Sequence, residues 1–205
     1  MSATATLPAP ALAVYPRPLT HRWTVTEFNQ MGDMGWFEGK RAFLLDGVIM
    51  EQGPMNPPHA TGLALVDAAL RAMFGAGWFL RSQSPFHVDE HNDPLPDLAV
   101  VPGGPRDYIG RHPTTAAVVV EVSDTTLRTD LTEKAERYAT AGVADYWVLD
   151  LDARQLHVFR DPQPLPRPEY LAATAYRTHL TLGPTERAAP LAAPDASVLV
   201  RDLLP

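Results

Sequence analysis

Val118-Val119-Val120-Glu121-Val122-Ser123 is the stretch that decides the fold. Its valines run consecutively instead of alternating with polar residues, which marks a strand covered on both faces. The run starts near Thr115, and a carboxylate appears only as it ends, at Glu121. Such a strand belongs at the centre of a sheet with helices on both sides, so helices and strands should interleave around it.

Reading outward meets that expectation. Downstream, Asp130 with Glu133 has the spacing of a helix cap and predicts a helix over about Leu131 to Ala141, stopped by Gly142. Tyr146-Trp147-Val148-Leu149 and Gln155 to Phe159 then read as a hairpin around Asp152-Ala153. Beyond Asp161 the chain is proline-rich, with weak strands at Tyr170-Leu171 and Leu180-Thr181-Leu182. Upstream, Asp97 to Val101 is a strand bounded by Pro96 and by Pro102-Gly103-Gly104. Trp78-Phe79-Leu80 and Phe86-His87-Val88 are short strand candidates. Leu63, Val66, Leu70 and Phe74 fall at helical spacing in a segment from about Ala60 to Phe74. Asp46-Gly47 joins Ala42 to Leu45 with Val48 to Glu51, a strong hairpin signal. Thr24 to Glu27 has capping-box spacing and opens a short helix to about Met31. Prolines 8, 10, 16 and 18 predict an extended arm over 1–20, leaving 21–205 as a single domain. The predicted class is α/β: an α/β/α arrangement around a mixed sheet.

Composition narrows the function. With no cysteine, a disulfide framework and a thiolate metal site are both excluded. No apolar run approaches the ~18 residues of a membrane helix, and residues 1–10 lack the pattern of a secretory signal; a cytoplasmic, membrane-free protein is expected. A formal net charge of −7 argues against coating nucleic acid through a broad basic surface. A focused site remains open, since a bound cation reverses the local field. Seventeen basic residues include only two lysines, Lys40 and Lys134, so each retained lysine draws attention.

Asp97 opens one apolar strand and Glu121 closes another. A carboxylate beside such a run is costly to bury unless it is paired or binds a cation. Two strand-end carboxylates suit Mg²⁺, a hard cation that prefers oxygen ligands and keeps several waters, and Mn²⁺ is an alternative. Lys134 follows early in the next helix, where Leu131, Ala135 and Tyr138 mark the packed face, so its amine can point back toward the carboxylates. There it could orient a water or stabilise charge developing on a phosphate. A plainer alternative stands beside this one, in which all three are solvated surface charges.

Pro96-Asp97 followed by Glu121-Val122-Ser123 resembles the signature of the PD-(D/E)xK nuclease superfamily. The wider pattern resembles the Uma-type putative restriction endonuclease family. It comprises Leu45-Asp46-Gly47-Val48 with Glu51, Pro57-Pro58-His59, Pro96-Asp97-Leu98, Val119 to Ser123, Asp130 to Lys134, Tyr138, Gly142-Val143 and Tyr146 to Asp150. The resemblance implies a restriction-endonuclease-like α/β/α core, a DNA substrate and a metal site on Asp97 and Glu121. Ser123 departs from the superfamily pattern, which has lysine there on the same strand face as the glutamate. The family's lysine is instead matched by Lys134 on the following helix. Glu51 lies where the superfamily adds an acidic residue, and Gln83 at a polar site position. His59 either approaches a phosphate or caps its helix. Pairing of two copies to cut two strands is a further expectation from the resemblance.

Two rival readings accompany this one. A catalytically inactive descendant would use the same fold for binding or regulation, as the acidic charge and Ser123 suggest. His87, Asp89 and His91 alternate and could project from one strand face to hold Zn²⁺ or Fe²⁺, although Asp89 to Asp93 reads as a polar turn. Tyr146-Trp147 reads as core packing and not as a base-stacking platform.

Overall fold

Helix α1, Val25–Asp33, starts at the capping box that the sequence indicates: the Thr24 hydroxyl accepts from the Glu27 amide, and the Glu27 carboxylate accepts from the Thr24 amide. A computed structural model describes residues 20–164 and 174–205 of the chain. The predicted arm, apart from Thr20, and the weak strand expected at Tyr170-Leu171 lie outside the described residues. After α1 come β1, Ala42–Leu45, and β2, Val48–Glu51, an antiparallel two-stranded hairpin. Both turn residues have positive φ, 53° at Asp46 and 71° at Gly47, the backbone that Asp-Gly adopts most readily.

Helix α2, Pro57–Met73, begins earlier than the apolar spacing indicates. Prolines occupy its first two positions, and the Asn56 side chain accepts from the His59 amide at 3.0 Å. Asn56, not His59, is therefore the cap. The six-stranded sheet then forms from β3 (Trp78–Ser82), β4 (Leu98–Pro102), β5 (Val118–Ser123), β6 (Asp145–Asp150), β7 (Gln155–Pro164) and β8 (Thr174–Leu182), in that spatial order. Only β5 and β6 run parallel; the other neighbours are antiparallel, so the sheet is mixed. All six residues of β5 and all six of β6 are buried, as the unbroken valine run requires.

Between β5 and β6 the crossover comprises α3 (Leu127–Thr129), a π-helical turn (Asp130–Lys134) and α4 (Ala135–Thr140). Asp130 does not cap this segment, which starts three residues before it; its carboxylate is turned inward. One sheet face packs Val118, Val120, Val122, Trp147 and Leu149 against Val66 and Leu70 of α2 and against Leu203 and Leu204 near the C-terminus. The other face packs Val119, Tyr146 and Val148 against Ala135 and Tyr138 of α4. Tyr146 and Trp147 are thus core residues on opposite faces.

Three strand expectations change. Phe86 to Val88 is not a strand; its amides go to Pro94, Pro113 and Asn92, which are loop positions. The weak strand at Leu180 to Leu182 is the end of nine-residue β8. The proline-rich segment after Asp161 continues β7, pairing with β8 at Pro162↔Tyr176 and Pro164↔Thr174, beyond the last β6 pair at Arg160. Proline is tolerated there because β7 has only one neighbour over that stretch. A two-stranded pair, β9 (Arg187–Ala188) with β10 (Val198–Leu199), precedes the C-terminus.

Candidate active site

Strand alternation separates the end of β5 into two faces. Val122 packs toward α2, whereas Glu121 and Ser123 face the α3–α4 segment. Glu121 is 2% exposed. Its Oε1 accepts from the Tyr138 hydroxyl at 2.9 Å, and its Oε2 lies 3.0 Å from Lys134 Nζ. Burial pushes the Glu121 carboxyl up to about 8, against the pull of Lys134 and with a further push from Asp130 and Asp97. Burial alone would lower Lys134, but the Glu121 and Asp130 carboxylates outweigh it and hold the ammonium above its ordinary value.

Asp97 sits immediately before β4 and is 3% exposed. Its Oδ2 accepts from the Val122 amide at 2.9 Å, which ties it to the strand bearing Glu121. Its Oδ1 lies 3.3 Å from His59 Nε2 and accepts from Gln83 Nε2 at 3.3 Å. Burial pushes this carboxyl up, yet the His59 contact and the Val122 amide together bring it below the ordinary carboxylate range. His59 is raised in turn, first by its hydrogen bond to Asp97.

Asp97, Glu121, Lys134, His59 and Glu51 all line one cavity of about 240 Å³ at the end of β5. The sequence-derived carboxylates and lysine therefore converge, although they come from three separate segments. Glu51 stands at the mouth, exposed and paired with Lys40 at 3.4 Å. Gln83 does not line the cavity; held at φ 47°, it passes its carboxamide between Asp97 and Arg41, whose Nη1 donates to Gln83 Oε1 at 3.0 Å. Arg41, just before β1, escaped sequence reading because nothing near a hairpin signals a partner 42 residues away.

Asp130 is the principal residue that sequence reading misplaced. It is 1% exposed, its Oδ1 lies 2.8 Å from Lys134 Nζ, and its Oδ2 accepts from the Ser123 and Thr126 hydroxyls. The i,i+4 spacing of Asp130 and Lys134 is a signal that could have found the pair. Asn56 and Asp124 hydrogen-bond across the cavity mouth.

The donor set suits a hard divalent cation. Glu121 and Asp97 are buried oxygen donors on one cavity wall, and burial raises Glu121, which a cation would reverse. Among the described residues no group of three or more His, Asp or Glu side chains is arranged to hold a metal. Held by Asp97 and Glu121 alone, Mg²⁺ would keep most of its coordination shell for water and substrate oxygens. The rival trio is dispersed: Asp89 accepts from the His91 amide and from Asn92, the His91 ring contacts the Trp23 carbonyl at 2.9 Å, and His87 lies 3.9 Å from Asp93.

Among solved structures, the chain is similar to one described as a putative nuclease belonging to DUF820 from Anabaena variabilis. The identity is 13%, the TM-score 0.60, and the match covers 79% of this chain and 88% of that one. At this identity the likeness concerns the fold, and it bears out the restriction-endonuclease-like α/β architecture. No curated protein matches the chain. A family model described as "Uma2: Putative restriction endonuclease" matches residues 25–201, nearly the whole described span. On that match, together with the mixed-sheet fold, the chain belongs to the Uma2 family of putative restriction endonucleases.

Proposed function

We propose that the protein is a metal-dependent DNA endonuclease whose metal is held by Asp97 and Glu121. The observation that carries this reading is the meeting of two buried carboxylates and one partly buried ammonium in a single cavity. Mg²⁺ or Mn²⁺ bound there supplies Lewis acidity toward a phosphate oxygen and acidifies water near neutral pH. The chain's own groups do the rest. Asp97 is held in its ionised form by His59 and the Val122 amide. Tyr138 and Lys134 fix the two oxygens of Glu121. Lys134, held charged by its carboxylate neighbours, serves as a fixed cation that orients the attacking water and balances charge on the phosphate. His59 and Glu51, which line the same cavity, are assigned to meet the entering phosphate and its water.

The cavity's charge supports a cation requirement. Glu51, Asp97 and Asp124 line it as carboxylates against Lys134 and His59, and Glu121 joins them once a cation offsets its burial. A polyanion meets a repulsive mouth until a divalent ion reverses the field. Pairing of two copies, which cutting both strands of a duplex calls for, belongs to the same proposal and is read by light scattering.

Titration calorimetry of Mg²⁺ and Mn²⁺ tests the site, together with cleavage assays on single- and double-stranded DNA. Asp97→Ala and Glu121→Ala should each abolish metal binding and lower cleavage by at least ~100-fold while the fold survives. Undiminished turnover by either folded variant would sink the assignment.

A further inference from the structure

We infer that Asp130 is a positioning residue for Lys134, and that Ser123, in the place where the superfamily pattern has its lysine, serves to hold Asp130 in that role; the inference rests on the nuclease reading above. Lys134 has two carboxylate neighbours, Asp130 at 2.8 Å and Glu121 at 3.0 Å. They differ in one respect: Glu121 lines the cavity and Asp130 lies behind its wall. A divalent ion drawn to Glu121 would compete with the ammonium for that carboxylate and repel it by like charge. Asp130 is then the partner left to keep Lys134 in the cavity.

Asp130 is built for that task. Its Oδ2 is occupied by the Ser123 and Thr126 hydroxyls, which leaves Oδ1 facing Lys134. Its carbonyl accepts from the Tyr146 hydroxyl at 2.9 Å, so β5, β6 and the loop before α3 all fix it. The π-helical turn over Asp130–Lys134 widens the helix at this point, a distortion that recurs where helices serve function. A long amine loses rotamer freedom when it is confined. A preorganised carboxylate meets that cost before substrate arrives.

The chain's lysine content permits a direct test. Lys134 and Lys40 are its only lysines, and Lys40 is more than half exposed on the hairpin side. In metal-loaded protein, formaldehyde-borohydride methylation followed by peptide mass spectrometry reads Lys134 against Lys40 as internal reference. Wild type should protect Lys134 relative to Lys40. Asp130→Asn should remove that protection, and Ser123→Ala should shift it in the same direction, each in protein shown to be folded by circular dichroism. If Asp130→Asn fails to fold, Ser123→Ala decides the matter alone. In cleavage assays Asp130→Asn, which leaves Lys134 without its fixed carboxylate, should lower kcat by about 10–100-fold with KM for DNA little changed. Equal protection of Lys134 in wild type and in the folded variants overturns the inference, whatever the DNA assay gives. Loss of protection in the variants, with no cleavage by wild type, upholds the placement of Lys134 by Asp130 and overturns the nuclease reading instead.

Discussion

Asp97 and His59 show how much one contact sets at the residue scale. The ring lies 3.3 Å from a carboxylate that is otherwise served by one backbone amide and one carboxamide. Because His59 is raised above its ordinary value in the folded chain, its contribution is full below the unfolded pKa of about 6.5 and is lost as pH rises through the higher folded value. Urea denaturation in EDTA should find His59→Ala less stable than wild type by about 2 kcal/mol near pH 6. The gap should narrow by about pH 8.5. A gap that stays constant across this window would mean that the ring acts by packing and not by charge. His59 was legible as a site candidate from Pro57-Pro58-His59, but its partner was not. Nothing in the sequence brings residues 59 and 97 together; that contact exists only because α2 crosses beside β4.

At the element scale, the β1–β2 hairpin borders the cavity, and its turn is closed by the chain before α1. A Cβ built on Gly47 would fall 2.7 Å from Arg22 Cβ and 2.9 Å from its Cα, at a φ of 71°. Gly47→Ala should therefore cost about 1–3 kcal/mol from backbone strain, seen as a lowered urea midpoint. An unchanged midpoint would show that the Arg22 segment moves aside freely. The Asp-Gly turn was readable because its chemistry is local: two residues that accept positive φ between apolar runs. The π-helical turn was not. It carries Asp130 and Lys134, which contact Ser123 and Glu121, and no local propensity announces that.

At the scale of the whole molecule, the parallel pairing of β5 and β6 puts two different structures at opposite ends of the sheet. The candidate site occupies the end near Glu121 and Ser123, which pair with Val148 and Asp150. At the start of β6, fully buried Asp145 accepts from Trp147 Nε1 at 2.8 Å, from Arg160 Nε at 2.9 Å and from the Leu191 amide at 2.8 Å. This node fastens the C-terminal segment to the sheet. Asp145→Ala strands a partly buried guanidinium and should destabilise the protein by about 3–5 kcal/mol. Chemical denaturation should show that loss, with metal affinity of the folded fraction unchanged. A parallel fall in Mg²⁺ affinity would mean that the two ends are coupled.

The α/β class, the central valine strand, the Asp-Gly hairpin and the candidacy of Asp97, Glu121 and Lys134 are all legible in the residues. The fold features rest on period and turn chemistry, which act within a few residues, and the site candidates on the cost of a carboxylate beside an apolar run together with the family resemblance. It takes the packed fold to show that Asp130 turns inward instead of capping a helix, that Gln83 supports Asp97 from outside the cavity, and that His87, Asp89 and His91 diverge. Gln83 meets Asp97 where separate segments pass one another, whereas Asp130 and the His87–His91 loop take their orientation from what their own segment packs against. A side chain's partner is set by packing across the fold, and local sequence carries that information only in part.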